Sequence, residues 1–160
     1  MALSGSTAPL DRVFACLPYL LPLLDGLTFS GPFFQQFPVL QPIVLPLIPL
    51  LNIYRGVPFM GLIVFFALFL LVVRNESISH FIRFNAMQAI LIDIVLVLCS
   101  IIVDYLLRPL LGDGTLLLDT LFNVIFLGTI AAIVYSVIQS ALGRYAEIPT
   151  LSEAVYMQVR

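Results

Sequence analysis

The sequence predicts an all-α fold: a polytopic membrane protein built as a four-helix transmembrane bundle with a proline-rich re-entrant or interfacial segment. Three observations predict it. Hydrophobic residues make up 61 % of the 160 residues and charged residues only 10 %, against roughly half and a quarter in soluble domains. The mean hydropathy is +1.12, and a soluble fold of this size has too little interior to hide that much apolar side chain. Four apolar stretches, residues 13–34, 57–73, 86–107 and 121–142, are separated by polar or turn-forming sequence. Each approaches the roughly 20 residues that cross a hydrocarbon layer of about 30 Å. The whole chain, 1–160, reads as one integral membrane domain.

The start, Met1 to Asp11, lacks the basic stretch of a cleaved signal, so the first apolar segment is expected to stay in the membrane. Residues 13–34 are interrupted by Pro18, Pro22, Asp25 and Gly26, which predicts a kinked or broken helix with Asp25-Gly26 as its break. Residues 37–54 carry Pro38, Pro42, Pro46 and Pro49. Each proline removes a backbone donor and clashes with the preceding turn. A short interfacial or re-entrant segment fits this stretch, and a fifth, distorted span is the competing reading. Residues 57–73 have no polar side chain, Pro58 suits a first helical turn, and Arg74, Asn75 and Glu76 close the run.

Residues 74–85 form a polar connection in which Ile78, Phe81, Ile82 and Phe84 suggest an amphipathic turn along the interface. The span at 86–107 lies between Arg83 and Arg108 and contains Gln88, Asp93, Ser100 and Asp104. Gly112-Asp113-Gly114 signals a turn, and Gly143-Arg144 ends the span at 121–142. The tail, 145–160, is polar enough for the surface, with a turn near Pro149 and Ser152 as the cap of a brief helix.

Charge assigns the sides. With both termini cytoplasmic or stromal, Arg12, Arg74, Arg83, Arg144 and Arg160 lie inside and Arg55 and Arg108 outside. That bias follows the positive-inside rule.

A net charge of -2, with every basic residue an arginine, excludes the footprint of a nucleic-acid binder. Cys16 and Cys99 form no paired motif and read as small buried hydrophobes. His80 is the only histidine, too few for a metal site, and no nucleotide motif or catalytic triad is present. The chain is therefore not expected to be an enzyme, and no catalytic, metal or cofactor site is assigned.

Asp93 stands deep inside a span, where an exposed charge is costly. Val97, Ser100 and Asp104 follow it along one helix stripe. That stripe faces either a polar path or a neighbouring helix to which Asp93 is hydrogen-bonded. Asp25, if buried, needs a partner or a proton. On the last span, Gly128 and Ala132 form a small-xxx-small pair for close packing, and Asn123 and Gln139 are candidates for bonds between helices.

Three blocks carry a family resemblance. Asp11-Arg12-Val13-Phe14-Ala15-Cys16-Leu17-Pro18-Tyr19-Leu20-Leu21-Pro22 resembles the opening of the Tic20 family. The stretches from Val73 to Ile90 and from Gly143 to Arg160 are similar to its middle and end. The resemblance implies a four-helix multi-pass component of the inner-envelope translocon, contributing to the channel for precursor import. It implies other translocon subunits, membrane lipids, a precursor polypeptide and further copies of the chain as partners, and no cofactor. It gives Asn85, Gln88, Arg144 and Glu147 a family-core role. Without a long N-terminal extension the chain is similar to cyanobacterial or plastid-encoded forms. The expected location is then a cyanobacterial plasma or thylakoid membrane, or a plastid inner envelope. The competing functions are an assembly factor for another membrane complex and a small-solute or ion channel.

Overall fold

A computed structural model describes residues 8–160. All regular structure among them is helical. Four helices are long and apolar enough to cross a membrane: α1 (Pro9–Phe29), α3 (Pro38–Gly56), α5 (His80–Leu111) and α6 (Leu116–Ala141). Shorter helices are α2 (Gly31–Gln36), α4 (Met60–Val73) and α7 (Leu151–Gln158). The chain is a multi-pass integral membrane protein with a helical bundle at its centre.

α1 absorbs Pro18 in a tight turn at Leu17–Tyr19 and continues. At Asp25-Gly26, the expected kink or break, the chain stays helical but passes from α-helix to a 3-10 turn at Leu27–Phe29. Gly26 stays helical at φ -62° and packs closely on α6: a Cβ there would lie 3.0 Å from Thr129 Cγ2. The chain turns at Ser30 instead, where the hydroxyl donates to the Leu27 carbonyl at 2.6 Å.

The proline-rich stretch, expected as a short interfacial or re-entrant segment, is continuous helix. Pro38–Leu47 winds as a 3-10 helix and Ile48–Gly56 as an α-helix. The tighter winding rises about 2.0 Å per residue, so α3 reaches about 33 Å. No residue of α3 is buried. Both of its ends meet the same end of α1 and the adjoining α2. Pro38 shares a cavity with Leu27, Ser30 and Phe34, and the Tyr54 hydroxyl donates to Asp25 Oδ2 at 3.0 Å.

The span expected at 57–73 is shortened. Phe59 takes a left-handed φ of 59°, so Pro58 sits in a turn before the helix and not in its first turn. The remaining helix, Met60–Val73, measures about 21 Å. It runs antiparallel to α5: Arg83 Nε donates to the Val73 carbonyl at 2.9 Å, while Met60 and Phe65 face Asp93 and Leu98.

α5 begins six residues earlier than expected, at His80, capped by Ser79 Oγ accepting from the Ile82 amide at 3.4 Å. Phe81, Arg83, Phe84 and Asn85 are therefore buried in its first turns, not spread along an interface. α1 and α5 are parallel, and α6 runs antiparallel to both. Contacts Cys16–Val137, Gly26–Thr129 and Phe29–Phe122 step down the α1–α6 seam. The turn between α5 and α6 places Gly112 and Gly114 at φ 77° and 73°.

Two apolar cores result. One joins α1, α5 and α6 through Tyr19, Phe29, Ile92, Leu96, Phe122 and Phe126. The other joins α4, α5 and the tail through Val73, Phe84, Met87, Ile90, Val155 and Val159. The tail is thus not a surface appendage. Val155 and Val159 are fully buried, and α7 starts at Leu151, after Thr150 turns at φ 72°.

Candidate functional site: a buried polar knot and a polar groove

Two polar sites interrupt the apolar bundle. The first lies where α1, α5 and α6 meet near the start of α5. Tyr19 donates to Asn85 Oδ1 at 2.8 Å, and Ser140 donates to the same oxygen at 2.8 Å. Asn85 Nδ2 donates to the Phe81 carbonyl of its own helix at 2.9 Å. Gln88 Nε2 has three acceptors in reach: the Ala146 carbonyl at 2.8 Å, Tyr19 Oη at 3.1 Å and Ser136 Oγ at 3.2 Å. Gln88 and Asn85 are fully buried, and Gln88 Oε1 has no partner.

A mostly satisfied network of this kind ties helices together where water is excluded. Of the family-like residues, Asn85 and Gln88 stand at its centre. Arg144 and Glu147 do not. Arg144 is exposed, and its amide ends the last span on the Gln139 carbonyl at 2.9 Å. Glu147 accepts from the Tyr156 hydroxyl at 2.8 Å. Burial, helped by that bond to Glu147, holds the Tyr156 phenol well above its ordinary range, so it remains a donor.

The expected interhelical bonds from α6 come from other residues. Ser136 and Ser140 face the knot while Gln139 is half-buried beside it. Asn123 Oδ1 is buried without a partner. Gly128 likewise does not pack inside the chain: no atom lies within 4 Å of a Cβ placed there. The close helix approach uses Gly26 on α1, and Ala132 is half-buried against the core.

The second site is a groove on the α1–α5 seam. The stripe read from the sequence lines it. Asp25, Thr28, Val97, Ser100 and Asp104 surround a cavity of about 160 Å³. Asp25, Tyr54, Arg55, Gly61, Asp93 and Val97 help to line a neighbouring one of about 590 Å³. Asp25 and Val97 belong to both, so the two cavities adjoin.

Asp25 and Asp93 line the larger cavity together, and the Tyr54 hydroxyl donates to Asp25 Oδ2 at 3.0 Å. Asp93 is buried and its Oδ1 has no partner. Asp104, at the other end of the stripe, is exposed and pairs with Arg108 at 3.1 Å; Arg108 also reaches Asp113 at 3.3 Å.

Tyr19 and Tyr54, which organise the two sites, were not among the sequence candidates. Their hydroxyls sit on aromatic residues in apolar runs, where nothing in spacing separates them from core residues.

His80 packs against the tail. Nδ1 contacts Tyr145 Oη at 2.9 Å and Nε2 contacts the Val159 carbonyl at 3.3 Å. Among the described residues no group of three or more His, Cys, Asp or Glu is placed to hold a metal ion. Cys16 and Cys99 are unpaired and half-buried.

The family model "Chloroplast import apparatus Tic20-like" matches residues 9–155. A Tic20 family protein of Synechocystis sp. is 55 % identical over 158 residues, covering 98 % of each chain. The protein TIC 20-II, chloroplastic, of Arabidopsis thaliana is 34 % identical over 96 % of this chain and 74 % of its own length. The Tic20 family protein Ycf60 of Gracilaria tenuistipitata var. liui is 36 % identical over 93 % and 75 %.

Proposed function

The chain belongs to the Tic20 family, and we propose that it acts as a membrane-embedded component of a protein translocon, contributing to a protein-conducting path or its scaffold. The observation that carries this reading, beside the family, is the polar groove between Asp93 and Asp104. It sets hydrogen-bonding groups along one side of an otherwise apolar bundle. An extended polypeptide carries unpaired amides and carbonyls that need such partners away from water.

One chain of this size encloses little volume. The conduit is formed with further copies or partner subunits, and partners supply the energy.

The contacts favour α1, α4, α5 and α6 as the crossing helices. α3 has both ends against one end of α1 and the adjoining α2, so it lies along the outer face. Both termini are then cytoplasmic or stromal, in keeping with the arginine bias. The similarity to a cyanobacterial relative over nearly its whole length favours a plasma or thylakoid membrane. A plastid inner envelope follows if the chain is plastid-encoded.

The test is crosslinking from photoreactive residues at Val97 and Ser100 to an arrested precursor in native membranes. Adducts from these sites, and none from the lipid-facing Leu127, are the expected result. No precursor adduct from either site, while partner subunits do crosslink to it, removes the conducting role.

An assembly-factor role is the second reading. It is favoured by Gly128, which leaves room on the outer face of α6 for a partner helix. It predicts co-purification with a complex that is lost on deletion, with no precursor contact. Selective ion flux in liposomes that changes in D93N would instead support a small-solute or ion channel.

A further inference from the structure

We infer that the cavities flanking α3 hold one anionic membrane phospholipid, with its phosphate on Arg55 and its two acyl chains in the apolar spaces against different faces of the helix. α3 is apolar and 19 residues long, yet none of its residues is buried. The rest of the chain leaves the space beneath it unfilled. A cleft of about 600 Å³ separates Leu50, Ile53 and Tyr54 from α1 and α4. A cavity of about 380 Å³ lies between another face of α3, with Leu45, Ile48 and Leu51, and the region of Leu27 and Phe34.

Both spaces are too small for a protein occupant, because a crossing helix about 10 Å across and 30 Å long takes up more than about 2,000 Å³. An acyl chain fits. In the larger cleft α4 contributes Met60, Val64, Leu68 and Val72, each four residues apart, so the cleft follows about 18 Å of that helix. This is close to the depth of one leaflet, half of a hydrocarbon layer about 30 Å thick. The only side-chain hydroxyl lining the cleft belongs to Tyr54, and it is engaged by Asp25 Oδ2. Such a lining selects hydrocarbon.

Arg55 selects the head. It stands at the end of α3 and lines both the 380 Å³ cavity and the one of about 590 Å³, which in turn shares Tyr54 and Met60 with the cleft. The spaces against the two faces of α3 therefore meet at one guanidinium. Arg55 is exposed and forms no ion pair among the described residues, whereas Arg108 is held by Asp104 and Asp113. Two acids line the 590 Å³ cavity with it. Tyr54 donates to Asp25 Oδ2 and Asp93 is only 3 % exposed, so the cation is the charge that a headgroup meets first. A guanidinium binds phosphate oxygens in pairs, and beside apolar walls that bond gains strength. Whether α3 crosses or lies flat, its Arg55 end is at a membrane surface, so the inference does not rest on the crossing pattern.

The chain contains no tryptophan, which makes single reporters clean. Phe14→Trp stands in the cleft, Phe34→Trp in the 380 Å³ cavity, and Phe66→Trp, half-exposed on α4, lines neither. The full chain is placed in phosphatidylcholine nanodiscs doped with a small fraction of phosphatidylglycerol carrying brominated acyl chains, or with the same fraction of brominated phosphatidylcholine. Brominated phosphatidylglycerol should quench both cavity reporters saturably and beyond its share of the lipid, while Phe66→Trp follows that share. Brominated phosphatidylcholine should treat the three alike. Arg55→Gln should weaken the phosphatidylglycerol response by about tenfold or more, as expected for loss of a charge-assisted bond, and Arg108→Gln should retain it. Added inorganic phosphate should not displace the lipid.

Equal quenching of the cavity reporters by the two lipids overturns the proposal, whether or not Arg55→Gln folds. So does quenching at Phe66→Trp alone, which would mean that protein fills the cavities. A preference that survives Arg55→Gln or is lost equally in Arg108→Gln, or release by inorganic phosphate, also overturns it.

Discussion

Gln88 Nε2 has acceptors in reach on α1, on α6 and on the chain beyond α6, all from one fully buried amide. Replacing it with Leu leaves the Ala146 carbonyl and Ser136 facing hydrocarbon, at about 1–3 kcal/mol for the unpaired groups. Q88L should lower the midpoint of denaturant unfolding in mixed micelles, and S140A, which removes a single donor, should lower it less. Two glycines make a sharper contrast. Gly26→Val should destabilise the bundle clearly, because its Cβ already meets Thr129 at 3.0 Å before the branch is added. Gly128→Val should leave the isolated chain unchanged, since that position faces open space. Thermal melting of both variants in nanodiscs checks the pair. The small-xxx-small spacing of Gly128 and Ala132 was legible in the sequence, but spacing cannot say which glycine has a helix opposite it. The stripe from Asp93 to Asp104 was legible for a sounder reason. A helical period fixes which residues share a face, whatever the partner.

At the scale of elements, the tail and α3 depart furthest from a reading of the sequence. Tail residues 145–160 look polar, yet Val155 and Val159, with Tyr145 packed beside them, fill a core completed only by α4 and α5. Such a long-range complement has no local signature. Arg83 and His80 fasten this segment. Arg83 donates to the Val73 and Arg160 carbonyls at 2.9 and 3.1 Å, and His80 contacts the Val159 carbonyl. R83A should release residues 151–159, read as faster amide exchange there with exchange in α6 unchanged. In α3, the prolines were seen but their outcome was not. They favour tight 3-10 winding over disruption, since successive i to i+3 bonds can skip a missing donor. Pro42→Ala with Pro46→Ala should let Pro38–Leu47 relax toward α-helix and raise the helical signal in circular dichroism.

For the whole molecule, composition alone placed the chain in lipid, and the family comparison agrees with that over residues 9–155. Which helices cross is a harder matter, because length and apolarity select α3 while contacts select α4. Composition cannot separate them: both are greasy, and only the tertiary position of Tyr54 beside Asp25 shows that the far end of α3 returns to the end of α1 where it began. The crossing pattern decides everything built on the groove, since it sets the faces onto which the Asp93 and Asp104 ends open.

The most direct test is therefore labelling of single cysteines, in a Cys16→Ala, Cys99→Ala background, with an impermeant thiol reagent on sealed vesicles. The sites are Ala8, Val57, Ser77, Asp113 and Gln158. With α3 lying on the outer face and α4 crossing, Ala8, Ser77 and Gln158 label from one side and Val57 and Asp113 from the other. Should Val57 label from the side of Ala8, α3 crosses, and that result would contradict the arrangement proposed.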